Sequence, residues 1–458
     1  MELKGKKILV VGLARTGAAA VRFLNRQGAR LKVSEAKSER ELDAARSELA
    51  DLPIEWEYGG HTLSFFEGAE LIVVSPGVPM NIEALAKARA RGIPVISEVE
   101  LAFRFLRRPL IGITGTNGKT TTTTLIGQML KASGKSAFVG GNIGNPLIGF
   151  AGGPQEEEWV VAEISSFQLE GIVDFRPHIS VLLNITEDHL DRYANFQEYI
   201  KAKEKIFKNQ GKEDYALLNA DDPLTFQFAH GIKPRVHLFS IERAVPAGCF
   251  FEKGAIFFQG GDGNKERFEL RRLKICGAHN LENLMAAIAV GKICGCPADS
   301  IQKVIEEFPS LEHRLEWVRD LDGVSYFNDS KGTNVGALVK SLLSFKEPIL
   351  LIAGGKDKGG DYRPLQELIA DRVKGMAFIG EAKERMFAAL GGLTETVKMD
   401  TLEEAVHWAT SRASPGDVVL LSPACSSFDM FENYQERGKK FKSIVQDLGR
   451  KPKGKQFN

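Results

Sequence analysis

One stretch, Leu110-Ile111-Gly112-Ile113-Thr114-Gly115-Thr116-Asn117-Gly118-Lys119-Thr120, limits what this chain can fold into more than any other. An apolar run long enough for one buried strand passes into a glycine loop and a Lys-Thr pair. Leu125, Ile126, Met129 and Leu130 then recur at helical spacing. Strand, glycine loop, Lys-Thr and helix is the layout of a phosphate cradle. Glycines let backbone N–H groups face an anion, the helix N-terminus adds partial positive charge, Lys119 reaches the outer phosphates and the Thr120 hydroxyl takes Mg²⁺. The loop is shorter than the common form, because Ile113 stands where that form has its first glycine. The competing reading is a turn that binds nothing. It fits poorly with Thr120, Thr121, Thr122, Thr123 and Thr124, poor helix formers placed together at a helix start.

Two further strands end in polar groups. Trp159-Val160-Val161-Ala162 runs into Glu163, and Ile179-Ser180-Val181-Leu182-Leu183 runs into Asn184-Ile185-Thr186-Glu187-Asp188-His189. Alone, Glu163 reads as a capping carboxylate and His189 as a turn histidine. Parallel α/β sheets bind ligands beyond the carboxyl ends of their strands, so Thr120, Glu163 and His189 are expected to converge as a Mg²⁺ site against ATP phosphates.

Upstream, strands at 7–11, 31–33, 71–74 and 94–96 alternate with helices at 16–27 and 83–90, which predicts a Rossmann-like parallel sheet. Gly12-Leu13-Ala14-Arg15-Thr16-Gly17 is a glycine turn but not a full G-x-G-x-x-G, and Glu35 stands where a ribose ligand would. A dinucleotide dehydrogenase is therefore a rival reading, as is an ATP-hydrolysing switch protein. Between 215 and 270 the pattern shifts to short strands, with a hairpin signal at 261–264. A long Ala-rich helix follows Gly277. It carries Asn280 and Asn283 one turn apart, either to read an adenine edge or, for Asn280, as an N-cap. From His313 a further α/β unit begins, its strands at 324–328, 348–353, 376–379 and 418–421 ending in Lys-, Gly- and Ser-rich loops.

A length of 458 residues suits about three domains. A net charge of +1 gives no electrostatic case for nucleic acid or a membrane surface. Arg15 interrupts the N-terminal apolar run and no run approaches membrane-spanning length, so a cytoplasmic protein without membrane insertion is expected. The cysteines Cys249, Cys276, Cys294, Cys296 and Cys425 are scattered without zinc spacing and read as free thiols of a reducing compartment. The basic tail after Arg450 is expected to be disordered.

Thr114-Gly115-Thr116-Asn117-Gly118-Lys119-Thr120 resembles the ATP loop of the Mur ligases, the amide-forming enzymes of peptidoglycan precursor synthesis. EISSFQLE (163–170) and NITEDHLDRY (184–193) resemble that family's metal-binding segments. SPGVP (75–79), NDSKGTN (328–334) and SPACSSFDMFENYQERG (422–438) are most like the D-glutamate-adding branch, and the likeness runs the length of the chain. The resemblance implies three α/β domains: a Rossmann-like UDP-sugar domain (1–97), a central P-loop ATPase-like domain with a small β region (98–311) and a Rossmann-like amino-acid domain (312–458). It implies ATP-dependent ligation of D-glutamate to UDP-N-acetylmuramoyl-L-alanine through an acyl phosphate, with two Mg²⁺ ions, by a monomer.

By the same resemblance Lys119, His189 and Lys203 are catalytic. ATP contacts fall on Gly115, Thr116, Asn117, Gly118, Lys119, Thr120, Thr121, Asn280, Asn283, Arg314 and Asp329. Metal contacts fall on Thr120, Glu163, His189 and Lys203. The UDP substrate falls to Arg15, Thr16, Ser75, Gly77 and Asn142, and D-glutamate to Lys331, Thr333, Lys358, Ser427 and Phe428. Lys203 matches the position of an N-carbamylated lysine, a modification that needs an uncharged amine. Glu35-Ala36-Lys37 departs from the hydroxyl- and arginine-rich uracil segment of some relatives, which leaves the uridine contacts open.

Overall fold

The computed structural model describes residues 1–190, 192–261, 263–270, 277–309, 311–357 and 359–449. Two compact units emerge: Met1–Ile185 with Gln197–Arg271 and Glu282–Ile305, and Thr186–Phe196 with Arg272–Leu281 and Glu306–Asn458. The fold is three-domain α/β, and each domain is built on one sheet.

The first sheet is all parallel, in the order Ile54–Tyr58, Arg30–Glu35, Lys7–Val11, Leu71–Val74, Val95–Ser97. This is a doubly wound order whose switch point lies beside Lys7–Val11. Leu9, Val11, Ile72 and Val74 face one side and bury Phe66, Leu85 and Ala88. The Arg15–Arg26 helix buries Ala18, Ala20, Val21, Phe23 and Leu24.

The second sheet runs Lys265–Glu269, Ala255–Gln259, Gly248–Glu252, Arg235–Ser240, Tyr215–Asn219, Ile179–Leu182, Leu110–Thr114, Trp159–Glu163, Ala137–Gly141. It is parallel except for its first two pairings, which are the hairpins around Ala255–Gln259. Leu110–Thr114 sits between Ile179–Leu182 and Trp159–Glu163, with Ile113 level with Glu163 and Thr114 level with Leu182. That register brings three polar strand ends to one edge. The third sheet, in the second unit, runs Glu316–Leu321, Val324–Asn328, Val418–Leu421, Ile349–Gly354, Val373–Ile379, Glu395–Lys398, and only its first pair is antiparallel.

Interior strands such as LIVV, LIGIT, ISVL and VVLL are buried at every position, as a sheet covered on both faces requires. The strands Ile54–Tyr58, Ala137–Gly141, Glu316–Leu321 and Glu395–Lys398 are not announced by apolar runs, and all four are sheet edges. Partial exposure there removes the need for a continuous apolar run. Gly248–Glu252 is also unannounced, although it is internal.

Within the first unit, the helix Glu98–Phe103 joins the first two sheets. Glu100 is fully buried, and its carboxylate accepts N–H bonds from Val173 (2.9 Å), Asp174 (3.0 Å) and Phe175 (2.8 Å). Arg104 Nε adds a fourth bond at 2.8 Å. Cys249, Cys294, Cys296 and Cys425 are free and buried, whereas Cys276 lies outside the described residues. Among the described residues no helix is long and apolar enough to cross a membrane.

Glu100→Ala strands three backbone donors and leaves Arg104 without its main acceptor. The expected cost is about 3–5 kcal/mol, read as a lowered urea midpoint for the first unit. An unchanged midpoint would show that the bonds are replaced by solvent.

Candidate active site

The phosphate loop is held by neighbours that the motif does not include. Gly115 leaves the strand at φ +148° and Gly118 enters the helix at φ +87°, conformations that glycine alone adopts without strain. A Cβ on Gly118 would lie 2.1 Å from Asn283 Oδ1. The Thr116 and Asn117 amides donate to the Asn184 carbonyl and Oδ1, both at 2.9 Å, and Asn184 Nδ2 returns a bond to the Asn117 carbonyl at 3.1 Å. Two amides expected to face an anion are thus satisfied internally. The first turn of Lys119–Ala132, whose N–H groups lack helical partners, is left to do so.

Lys119 Nζ donates to the Gly115 and Thr116 carbonyls at 2.9 and 2.8 Å. Lys203 is buried, donates to the Gly115 carbonyl at 2.8 Å and lies 4.6 Å from the centre of the Tyr199 ring. The Tyr199 hydroxyl meets Thr116 Oγ1 at 3.1 Å. Asn184 and Tyr199 are therefore loop-positioning residues that sequence reasoning missed, and only strand adjacency reveals them.

The threonine run now has a physical account. Thr120 Oγ1 donates to Glu163 Oε2 at 2.8 Å, Thr122 Oγ1 to Asn283 Oδ1 at 3.3 Å, and Thr124 Oγ1 back to the Thr120 carbonyl at 2.8 Å. Thr121 is buried beside them. The second Glu163 oxygen accepts from Asn142 Nδ2 at 2.8 Å, and the Asn142 amide donates to the Glu163 carbonyl, also at 2.8 Å. Thr120, Glu163 and Asn142 thus form one hard-oxygen cluster at the mouth of the loop, a donor chemistry suited to Mg²⁺.

In the first sheet Thr16 Oγ1 and Ser75 Oγ lie 3.1 Å apart, so the turns after Lys7–Val11 and Leu71–Val74 meet. Arg15 and Gly77 are exposed beside them. Glu35, which the dehydrogenase reading needs for a ribose, instead accepts the Leu13 and Lys37 amides at 2.6 and 3.1 Å.

In the second unit His189 stands at φ +57°, uncommon for a residue with a side chain, and its Nε2 is 3.7 Å from Asp188 Oδ2. A cavity of about 330 Å³ brings His189 and Asp188 together with Thr333, Asn334, Lys340 and Tyr362. Asn334 Nδ2 donates to Asp188 Oδ2 at 3.1 Å. Asn280 is not an N-cap, because the helix Ala278–Ile293 already begins ahead of it. Burial, with Lys340 and Arg314 nearby, pushes the neighbouring His279 down to about 3, so it is neutral.

Arg314 sits between His313 (φ +65°) and Leu315 (φ +44°), two left-handed residues held in place by the rest of the unit. The His313 amide donates to Glu316 Oε2 at 2.9 Å, and its Nδ1 meets Asn328 Nδ2 at 2.9 Å. The Leu315 amide donates to Asp329 Oδ1 at 3.3 Å. Asp329 is buried, with Oδ2 also bound by the Ser341 and Ser422 hydroxyls at 2.7 and 2.8 Å. Burial raises its carboxyl to about 6. This carboxylate therefore shapes the turn that carries Arg314.

For the amino-acid positions, Lys331 Nζ lies 4.1 Å from the centre of the Tyr434 ring, Ser427 is buried and Phe428 is 69% exposed. Lys358 lies outside the described residues. Sequence reasoning missed Arg437. This buried guanidinium donates to the carbonyls of Ser330 (2.9 Å), Cys425 (3.1 Å) and Ser426 (3.2 Å) and to Ser330 Oγ (3.0 Å). It ties the loop after Val324–Asn328 to the loop after Val418–Leu421, and burial lowers it to about 10.

Comparison with known proteins bears out the resemblance read from the motifs. The chain matches the Mur ligase middle domain over residues 113–291, the Mur ligase MurD-like N-terminal domain over 6–97 and the Mur ligase glutamate ligase domain over 313–425. A relative from Geotalea uraniireducens named UDP-N-acetylmuramoylalanine–D-glutamate ligase is 55% identical, across 98% of this chain and 99% of its own. One of the same name from Koribacter versatilis is 46% identical, across 99% and 100%. Among solved structures, a pseudomurein peptide ligase type C from Methanothermus fervidus superposes with a TM-score of 0.62 at 20% identity, over 97% of this chain and all of its own. UDP-N-acetylmuramate-alanine ligase MurC from Thermotoga maritima gives 0.57 at 20%, over 96% and 99%. At such identity these structures speak for the fold.

Gly118→Ala forces a side chain into left-handed backbone and against Asn283. The strain is roughly 1–2 kcal/mol before any clash, so nucleotide affinity should fall by about tenfold or more. Calorimetric titration with ATP checks this, and wild-type affinity in the variant would show that the loop does not cradle the nucleotide.

Proposed function

The chain belongs to the Mur ligase family, and from that premise we propose that it joins D-glutamate to UDP-N-acetylmuramoyl-L-alanine at the expense of ATP. The observation that carries this reading is the cluster at the phosphate loop. There Lys119, Thr120, Glu163 and Asn142 collect one cation and several hard-oxygen donors at the carboxyl edge of three strands of one sheet. The L-alanine carboxylate attacks the γ-phosphate and releases ADP, forming an acyl phosphate. The amine of D-glutamate then attacks that carbonyl and expels phosphate. Such a reaction depends mainly on positioning and on charge neutralisation.

Lys119 and the helix N-terminus stabilise the phosphates, and Asn283 with Asn280 and Arg314 holds the nucleotide. Thr120, Glu163, His189 and Lys203 would hold two Mg²⁺ ions, which neutralise phosphate charge when bound. Carbamylation of Lys203 would convert its amine into an anionic ligand. The buried placement of this side chain on the Gly115 carbonyl supports a role at the loop.

Domain 1–97 takes the UDP-sugar through Arg15, Thr16, Ser75 and Gly77, aided by Asn142. Domain 98–311 takes ATP. Domain 312–458 takes D-glutamate through Lys331, Thr333, Lys358, Ser427 and the Phe428 backbone. A monomer suffices, since every group named comes from one chain. The reaction belongs in the cytoplasm, where ATP is available and buried thiols stay reduced.

Phosphate release by the purified protein should require ATP, UDP-N-acetylmuramoyl-L-alanine and D-glutamate together. L-Glutamate should not substitute, because inverting the α-carbon moves one group out of its donor set. Turnover without an amino acid would favour a nucleotide switch instead. Lys203→Ala should lose nearly all activity and regain part of it with acetate or formate, whereas Lys203→Arg should stay inactive, since a guanidinium cannot ligate a cation. Full activity in Lys203→Ala, with no mass shift on the wild type under CO₂, removes the carbamate from the scheme.

A further inference from the structure

The Asn142–Glu163 pair is held from behind by one buried carboxyl. Asn142 sits on the tight loop after Ala137–Gly141, which the Gly141 amide closes onto the Asn145 carbonyl at 2.8 Å. This loop feeds directly into the helix Leu147–Ala151. Glu163 ends its strand two residues before Ser165, the cap of Ser166–Glu170. That cap is a reciprocal box in which the Ser165 amide donates to Gln168 Oε1 at 2.9 Å and the Gln168 amide to Ser165 Oγ at 3.3 Å.

Glu98 touches both segments. Its Oε1 accepts the Ile148 amide at 3.2 Å, and the Gln168 side chain lies close enough to favour the charged form of the same carboxyl. Glu98, Gln168 and Ser97 are each no more than 2% exposed, and Glu98 Oε2 and Ser97 Oγ have no hydrogen-bond partner. Burying a carboxyl with one oxygen unsatisfied is costly. Nothing in the helix Glu98–Phe103 itself requires it, since Glu100 already secures that helix to 173–175.

We propose that Glu98 is a positioning residue for the metal-binding pair, fixing the distance between Asn142 and Glu163 through Ile148 and Gln168. It touches no reacting atom. The role rests on the ligase reading, because it assigns a metal to Glu163. Outer partners of this kind orient ligand groups, and their loss weakens metal affinity without removing any ligand. Burial pushes the Glu98 carboxyl up to about 7, and a glutamine keeps the same shape and an acceptor oxygen for the Ile148 amide.

The test is Mn²⁺ binding in the presence of a non-hydrolysable ATP analogue, followed by electron paramagnetic resonance, alongside steady-state kinetics. Glu98→Ala should weaken Mn²⁺ binding by about tenfold or more while the D-glutamate KM stays unchanged. Glu98→Gln, which keeps an acceptor for Ile148, should restore binding. Should Glu98→Ala fail to fold, Gln168→Leu cuts the second arm and should weaken Mn²⁺ in the same direction. Wild-type Mn²⁺ affinity in Glu98→Ala or, where that variant does not fold, in Gln168→Leu overturns the proposal. So does a Glu98→Gln protein as weak as the alanine variant. A wild-type protein that binds no Mn²⁺ sinks the ligase reading and this inference with it, whereas binding in wild type isolates the fate of Glu98.

Discussion

Cations bound to backbone carbonyls, Lys203 and Arg437 buried and Lys119 half-buried, hold the functional loops of this protein in shape. A loop beyond a parallel strand turns its carbonyls away from the sheet, and where the loop is buried those oxygens need donors. In the first unit Lys203 and Lys119 supply them to Gly115 and Thr116. In the second Arg437 supplies them to Ser330, Cys425 and Ser426. An arginine suits the second task, because its planar fork reaches several acceptors at once and it stays charged when buried. A charge-assisted bond to a carbonyl is stronger than a neutral one, so a few such contacts fix loops that have little apolar area of their own.

The same economy appears among the anionic groups. Glu100 gathers three consecutive amides at the join between the first two sheets, and Glu98, two residues earlier, reaches the segments that carry Asn142 and Glu163. One short helix therefore sets the join of two sheets and also reaches the helix that follows the Asn142 loop. In the second unit Asp329 has a parallel task. It accepts two hydroxyls and the Leu315 amide, and this lets His313 and Leu315 keep left-handed backbone on either side of Arg314. Strain of that sort persists only where surrounding bonds over-determine it.

Much of this was legible from residues alone. Strand–loop–helix order, the Lys-Thr pair and runs such as LIGIT, ISVL and VVLL are local patterns, and each forms the predicted element because a strand covered on both faces needs apolar residues throughout. Convergence of Thr120 with Glu163 followed from parallel strands sharing one edge. The edge strands were not legible, since partial exposure removes the apolar signal. Nor did the sequence distinguish an asparagine cap from an interior position at Asn280, where the helix starts earlier than the cap rule alone would place it.

The sequence by itself determined the class of fold, the phosphate loop and the family, because these rest on periodicity and on contiguous motifs. Only the tertiary structure decided which groups serve the loops: Asn184 and Tyr199 beside Thr116, Asn283 against Gly118, Arg437 beneath Ser330 and Cys425, and Glu98 behind Asn142 and Glu163. Each of these pairs joins residues distant along the chain, as with Thr116 and Tyr199, 83 positions apart. The physical reason is that a polar residue's role inside a protein is set by which unsatisfied backbone groups burial leaves within reach, and strand order, not local sequence, brings those groups together.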